Sequence, residues 1–210
     1  MKDWHDYIPV KYREGFTTVL EELSSRTGFI LIGATSLLLQ GILHYQALWD
    51  FDLLFPDEGG VRKFKIKMVG EITTSRWITS HRIWWKRSGQ WFNLDLIIKS
   101  RDYYDLYQKE PVSYHNDRIK LLLANPLAIL IDKLTTPRFL TDLKTNNYLS
   151  IDIRHIGLII KANLPWEKFQ KRFQMAGSGF TYFDKAFKNL TAFLSQAKRF
   201  GYPDLKWSKG

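Results

Sequence analysis

Two hydrophobic periods alternate along this chain. Between residues 12 and 26, Phe16, Val19, Leu20 and Leu23 recur at helical spacing, with Glu14, Glu21 and Glu22 on the other side, which predicts an amphipathic helix ending near Gly28. Phe29 to Ile32 is a short apolar run suited to a buried strand. Gly33 supplies a tight turn, Thr35 and Ser36 stand at the start of a helix, and Leu37, Leu38 and Leu39 carry that helix to about Gly41. The period then changes to two. In Trp49-Asp50-Phe51-Asp52-Leu53-Leu54-Phe55, a strand would turn Asp50 and Asp52 to the same face.

Pro56 to Gly60 reads as a loop, and residues 61–69 alternate basic and apolar positions compatible with a surface strand or a short helix. A second alternating run covers 72–87 and includes Trp77, Ile78, Arg82, Ile83, Trp84, Trp85, Lys86 and Arg87. Ser88-Gly89-Gln90 makes a hairpin turn into a returning strand, Trp91 to Ile98, in which Asp95 shares a face with Asn93 and Ile97. The tyrosine-rich stretch 101–117 reads as a connection with a short strand or helix, and 118–123 as another strand. Asn125-Pro126 opens a helix with a buried stripe of Leu127, Leu130, Ile131 and Leu134, and Lys133 lies off that stripe. The last third is helical, with stripes at Trp166, Phe169 and Phe173 and at Phe183, Phe187, Leu190, Leu194 and Ala197, separated by a break at 175–179. Gly201-Tyr202-Pro203 ends the helical part and leaves a loose tail.

Length and composition narrow the possibilities. The chain has 210 residues, enough for one domain or two small ones, and 45% are hydrophobic. There is no Cys, which excludes disulfides, thiolate catalysis and Cys-based zinc sites and fits a cytoplasmic setting. The first residues carry acids and lack the apolar core of a signal peptide, and no apolar run of about 18 residues suggests a membrane span. The net charge of +10 is uneven: residues 1–60 carry −5, 61–90 carry +7, 91–160 carry +1 and 161–210 carry +7. An acidic centre flanked by basic regions suits a metal beside a nucleotide or polyanion, although lysines solvating two amphipathic surfaces would give the same totals.

The candidate chemistry centres on the acids. Two adjacent carboxylates repel unless a cation lies between them, and an oxygen-loving divalent ion is the natural occupant. Asp95 is a charged residue among apolar neighbours and needs a reason to be there, unless it is an edge-strand acid facing water. The five His show no HExxH spacing, and there is no Walker A or GxGxxG sequence. Ser178 in Gly177-Ser178-Gly179 lacks the context of a hydrolase elbow.

Gly33-Ala34-Thr35-Ser36-Leu37 followed by Asp50-Phe51-Asp52-Leu53-Leu54 resembles the nucleotidyltransferases of the DNA polymerase beta type. Their signature is Gly-Ser or Gly-Thr at a helix start, then Asp-x-Asp or Asp-x-Glu on the next strand. Among them the pattern is similar to the AbiEii-type toxin nucleotidyltransferases, with Ala34 in place of a second glycine. The resemblance covers mainly residues 28–134. It implies an α+β fold, a nucleotidyltransferase-like mixed β-sheet flanked by helices in residues 1–124, followed by a helical C-terminal part in 125–210.

It also implies Mg2+ (or Mn2+) on Asp50, Asp52 and Asp95, an NTP substrate held by Gly33, Thr35 and Ser36, and Lys133 at the leaving pyrophosphate. Asp95 would help deprotonate the attacking hydroxyl. Lys133 with Arg138 resembles the family's lysine-bearing helix, and Asp152 its first downstream acid, with His155 where the second would stand. The implied partners are an RNA (tRNA included) or protein acceptor and a cognate antitoxin. A catalytically inactive relative that binds nucleic acid or a partner through basic and aromatic surfaces is the alternative. Trp77, Trp84 and Trp85 interleaved with Arg82, Lys86 and Arg87 would form such a surface.

Overall fold

The computed structural model describes residues 4–44, 50–66, 68, 72–76, 80–147 and 149–205. Expectations resting on Trp49, Lys67, Val69, Trp77, Ile78 and the tail after 205 lie outside the described residues. The chain divides into two compact units, Met1–Ala124 and Asn125–Gly210. Among the described residues no helix is long and apolar enough to cross a membrane.

The first unit is built on a mixed sheet. In chain order its elements are α1 (Val10–Ser24), β1 (Ile30–Ile32), α2 (Gly33–Leu39), β2 (Asp50–Phe55), α3 (Glu58–Ile66), β3 (Ile72–Arg76), β4 (Ser80–Arg87), β5 (Gln90–Ile98), α4 (Arg101–Gln108), β6 (Val112–His115) and β7 (Lys120–Leu123). The seven described strands lie in the order β3-β4-β5-β2-β1-β7-β6. β2 runs parallel to β5 and β1 parallel to β7; the other neighbours are antiparallel.

One face of β2 and β5 is apolar. Phe51, Leu53, Phe92 and Leu94 are fully buried there, and α1 lays its stripe on that face, with the Phe16 ring 4.9 Å from Phe51. Phe16, Val19, Leu20 and Leu23 are all 0% exposed, so each contributes roughly 1.5–3 kcal/mol by burial. The basic stretch after Pro56 is helical rather than extended: Asp57 Oδ1 accepts from Gly60 N at 2.8 Å, and Phe64 packs against Phe55 and Phe29. The expected loop over 56–60 therefore shortens, because Asp57 caps α3. Residues 101–108 form α4, with Leu106 and Tyr107 buried.

Strand alternation divides the basic and aromatic run in two. Trp85 and Ile83 point into the core, and Arg87 stacks 3.9 Å above the Trp85 ring while bonding Glu22 of α1 through Nε and Nη2. Arg82, Trp84 and Lys86 occupy the opposite face. The run is thus not one continuous surface, because neighbouring residues of a strand face opposite ways.

The second unit contains α5 (Pro126–Thr135), α6 (Pro137–Lys144), α7 (Ile151–Ala162), α8 (Trp166–Gly177) and α9 (Phe183–Gln196). Asn125 caps α5 by accepting from Leu127 N at 2.9 Å, with Pro126 at the first position. Thr136-Pro137 repeats the device at α6, where Thr136 Oγ1 accepts from Phe139 N. The last carbonyls of α5 are met from α9: Asn189 Nδ2 donates to Leu134 O at 2.6 Å and Lys185 Nζ to Thr135 O at 2.8 Å.

Candidate active site

The first unit gathers its carboxylates through two local devices. Ile32 pairs with Asp52 across β1 and β2, and the chain turns at Gly33 with φ of +68°. A Cβ at Gly33 would stand 2.0 Å from Asp52 Oδ2, so the turn packs its bare Cα against that carboxylate. Two residues on, Thr35 Oγ1 donates to the carbonyl of Asp50 at 2.7 Å. The start of α2 is thereby clamped to the strand segment that bears both acids.

Thr35 and Ser36 are completely buried. Ser36 Oγ accepts from Gln40 Nε2 at 3.1 Å, and the same amide donates to the carbonyls of Ser36 and Ala124. Both hydroxyls are therefore engaged in holding the turn.

β5 supplies the rest. In the parallel register Asp50 lies beside Asn93 and Asp52 beside Asp95, so Asp50, Asp52, Asn93 and Asp95 share one sheet face. Asn93 is 1% exposed and donates from Nδ2 to Asp50 Oδ1 at 3.0 Å and to Asp95 Oδ2 at 3.3 Å. Its Oδ1 is buried without a hydrogen-bond partner. Arg82, opposite Asp95 on β4, closes a two-pronged bridge: Nε to Oδ1 and Nη2 to Oδ2, each 2.8 Å. Its guanidinium is held above its ordinary pKa, first by the bond to Asp95 and further by the charges of Asp95, Asp50 and Asp52.

Among the described residues no group of three acidic or histidine side chains is placed to hold a metal ion, and Arg82 binds both oxygens of Asp95. Asp50 and Asp52 remain an all-oxygen pair on one strand face, chemically suited to a hard divalent ion. Sequence reading missed Arg82 and Asn93 here. The signal was present, because the two-residue turn at Ser88-Gly89 pairs Arg87 with Gln90 and so sets Arg82 against Asp95.

Lys133 lies in the second unit, within a polar network among α5, α6 and α7. Its Nζ bonds Asp152 Oδ1 at 2.5 Å, and Arg138 Nε lies 3.4 Å from Asp152 Oδ2. Asp142 accepts from Ser150 Oγ and from Asn147 Nδ2. Burial pushes the Asp152 carboxyl up, but the charge and hydrogen bond of Lys133, with Arg138, outweigh it and hold it below the carboxylate range. His155 is 3% exposed, with Nδ1 unpartnered. Burial, reinforced by Lys133 and Arg154 and opposed by Asp152, pushes its pKa down to about 3.

His155 therefore makes stability pH-dependent. The unfolded chain binds a proton at the ordinary value of 6.5, whereas the folded imidazole stays neutral to about 3. The contribution is complete above 6.5 and is lost as pH falls through that window; a depressed Asp152 loses its own contribution only below the ordinary carboxylate value. Between pH 6.5 and 5 the loss should be about 2 kcal/mol. Urea unfolding of the wild type and His155→Gln at pH 7, 6 and 5 checks this, since the variant should show a shallower dependence; parallel slopes would assign the effect elsewhere.

No family model matches this sequence, and no curated protein matches it. Solved structures align with this chain. One is an antigenic nucleotidyltransferase-like protein from Paracoccidioides brasiliensis, 17% identical, with 90% of this chain aligned to 93% of that one and a TM-score of 0.54. Another is a CCA-adding enzyme in complex with CTP, 12% identical, with a TM-score of 0.35; 93% of this chain aligns to 53% of that enzyme, so the chain spans about half its length. The first likeness shows the fold: a mixed sheet flanked by helices, followed by a helical part, of nucleotidyltransferase-like type.

Proposed function

We propose that the chain is a nucleotidyltransferase that moves a nucleotide from an NTP to an RNA or protein acceptor. The observation that carries this is the placement of Asp50 and Asp52 on one face of β2, beside Asn93 and Asp95 in register and pinned by Gly33 and Thr35. The nucleotidyltransferase-like fold supports it.

Asp50 and Asp52 would hold Mg2+ or Mn2+, which when bound neutralises phosphate charge and aligns the displacement. Asn93 fixes the rotamer of Asp50 through its amide. The backbone of the Gly33 turn faces the phosphates, while Thr35 and Ser36 support it from within. Asp95 stations Arg82 beside the acid pair; it can take a proton from an acceptor hydroxyl once the guanidinium turns to a phosphate oxygen. Lys133 is held by Asp152 within the second unit. The matching residues 33–37 and 50–54 favour the AbiEii-type subgroup, and with it a cytoplasmic toxin paired with an antitoxin. Growth arrest on induction, relieved by the product of a neighbouring gene, tests that finer assignment.

The Arg82–Asp95 bridge favours a second reading, an inactive relative whose third carboxylate is permanently neutralised. Incubation with each of the four α-labelled NTPs, total RNA and protein, with Mg2+, Mn2+ or chelator, decides between them. Metal-dependent label in an acceptor is the expected result; its absence with all four nucleotides overturns the enzymatic reading.

A further inference from the structure

The face that carries the acids continues along the hairpin. Across β4 and β5, Arg82 pairs with Asp95, Trp84 with Asn93 and Lys86 with Trp91, so all six side chains stand on the same sheet face as Asp50 and Asp52. Trp84 and Trp91 remain 40% and 37% exposed, whereas Trp85 on the opposite face is fully buried. An indole buries more apolar area than almost any other side chain, so two left open on one surface mark a place for a flat partner. Trp84 stands directly across from Asn93, whose amide binds Asp50. The Lys86 ammonium lies 5.6 Å from the centre of the Trp91 ring. Of the basic residues between 80 and 91, Arg82 and Lys86 stand on this face, Arg82 bound to Asp95, and the stretch holds no acidic residue.

We propose that Trp84, Trp91 and Lys86 form a platform for the terminal stretch of a single-stranded nucleic acid, with bases stacked on the indoles and phosphate met by Lys86. The proposal takes from the preceding reading only that Asp50 and Asp52 mark where the chain acts. Lys86 attracts phosphate near the hairpin tip. A protein segment would gain from the apolar indoles but would need acidic side chains to match Lys86. A nucleic acid supplies π faces and anionic groups at every residue, and stacking of this kind is indifferent to sequence.

The experiment measures binding and transfer separately. A labelled single-stranded RNA 12-mer of mixed sequence and an abasic strand of equal length are titrated at low salt against the whole chain. The wild type should bind the base-bearing strand about tenfold or more tightly than the abasic one, and its tryptophan fluorescence should be quenched. Trp84→Ala and Trp91→Ala should each weaken RNA binding by about 5-fold to 150-fold and should leave abasic binding nearly unchanged. Lys86→Glu should weaken both.

Trp84→Phe and Trp91→Phe, which keep a stacking ring, should recover most of the affinity. This separates lost stacking from lost folding, and thermal melts of all variants are compared. Equal binding of the two strands, no RNA binding, or alanine variants within twofold of wild type would overturn the platform. If transfer then persists, the enzymatic reading survives. If the wild type shows tryptophan-dependent RNA binding but no transfer, the platform stands and the enzymatic reading falls.

Discussion

Asp50→Asn and Asp52→Asn are each expected to slow nucleotidyl transfer by about 10³-fold or more, with the fold unchanged. Asparagine keeps the size of the carboxylate and removes the charge that binds a cation and offsets the phosphates; losses of this order correspond to about 4 kcal/mol of transition-state stabilisation. The fold should tolerate both changes because β2 is anchored from its other face, where Phe51 and Leu53 are fully buried. In Asp50→Asn the new side-chain carbonyl can still accept from the Asn93 amide, whose partner in the wild type is Asp50 Oδ1. Removing one of three clustered negative charges should leave stability equal or slightly raised. Single-turnover transfer under saturating NTP, with urea unfolding of each variant, measures both. Rates within tenfold of wild type in both variants would remove the acid pair from the chemistry, and a large loss of stability would make the rate effect uninformative.

Gly33→Ala should damage the first unit, costing about 3 kcal/mol or more. Two penalties combine. Gly33 has φ of +68°, where an L-residue is strained by roughly 1 kcal/mol or more. Its new Cβ would also lie 2.0 Å from Asp52 Oδ2, so either the carboxylate or the turn must move. Gly28→Ala separates the two penalties, because Gly28 has φ of +89° with nothing within 4 Å of the position a Cβ would take, and it should cost only about 1 kcal/mol. Equal unfolding free energies for the two variants would show that the contact with Asp52 carries no weight. Transfer by the folded fraction of Gly33→Ala should also fall, since displacing Asp52 moves one member of the acid pair.

The sequence was most informative where a single residue type satisfies a local need. Gly33 at the turn, the Asp50-Phe51-Asp52 alternation, the Ser88-Gly89 hairpin and the Asn125-Pro126 cap each rest on backbone geometry that few other residues satisfy. The same logic could have found α6, because Thr136-Pro137 has the form of Asn125-Pro126, but the short helix offers few buried positions: Phe139, Asp142 and Leu143. For the same reason 101–117 was read only as a connection with a short strand or helix, since Leu106 and Tyr107 alone are buried in α4.

Partner choice was harder to read. Thr35 and Ser36 stand at a helix start, yet their hydroxyls serve the Asp50 carbonyl and Gln40, contacts fixed by how β1, β2 and α2 meet. Arg82 looked like part of a nucleic-acid surface together with Trp85 and Arg87. Strand parity sends it to Asp95 and sends the other two to α1 and the core. The Arg82–Asp95 bridge is thus a consequence of tertiary register, which composition and spacing within one segment do not express.

The hairpin at Ser88-Gly89 also bears on how this site can change over generations of sequence. Arg82 and Asp95 are 13 positions apart, and their meeting depends on the count of residues between them. Substitutions along β4 and β5 can drift one at a time, each judged on its own merits. Gaining or losing one residue in either strand would exchange the faces wholesale, burying Arg82, Trp84 and Lys86 or turning Asn93 and Asp95 inward. A change of length in this segment is therefore more disruptive than most changes of identity. Descendants of this chain too diverged to be matched by residue identity should still keep an acid pair two apart, a tight hairpin downstream, and a basic and an acidic residue equidistant from its tip.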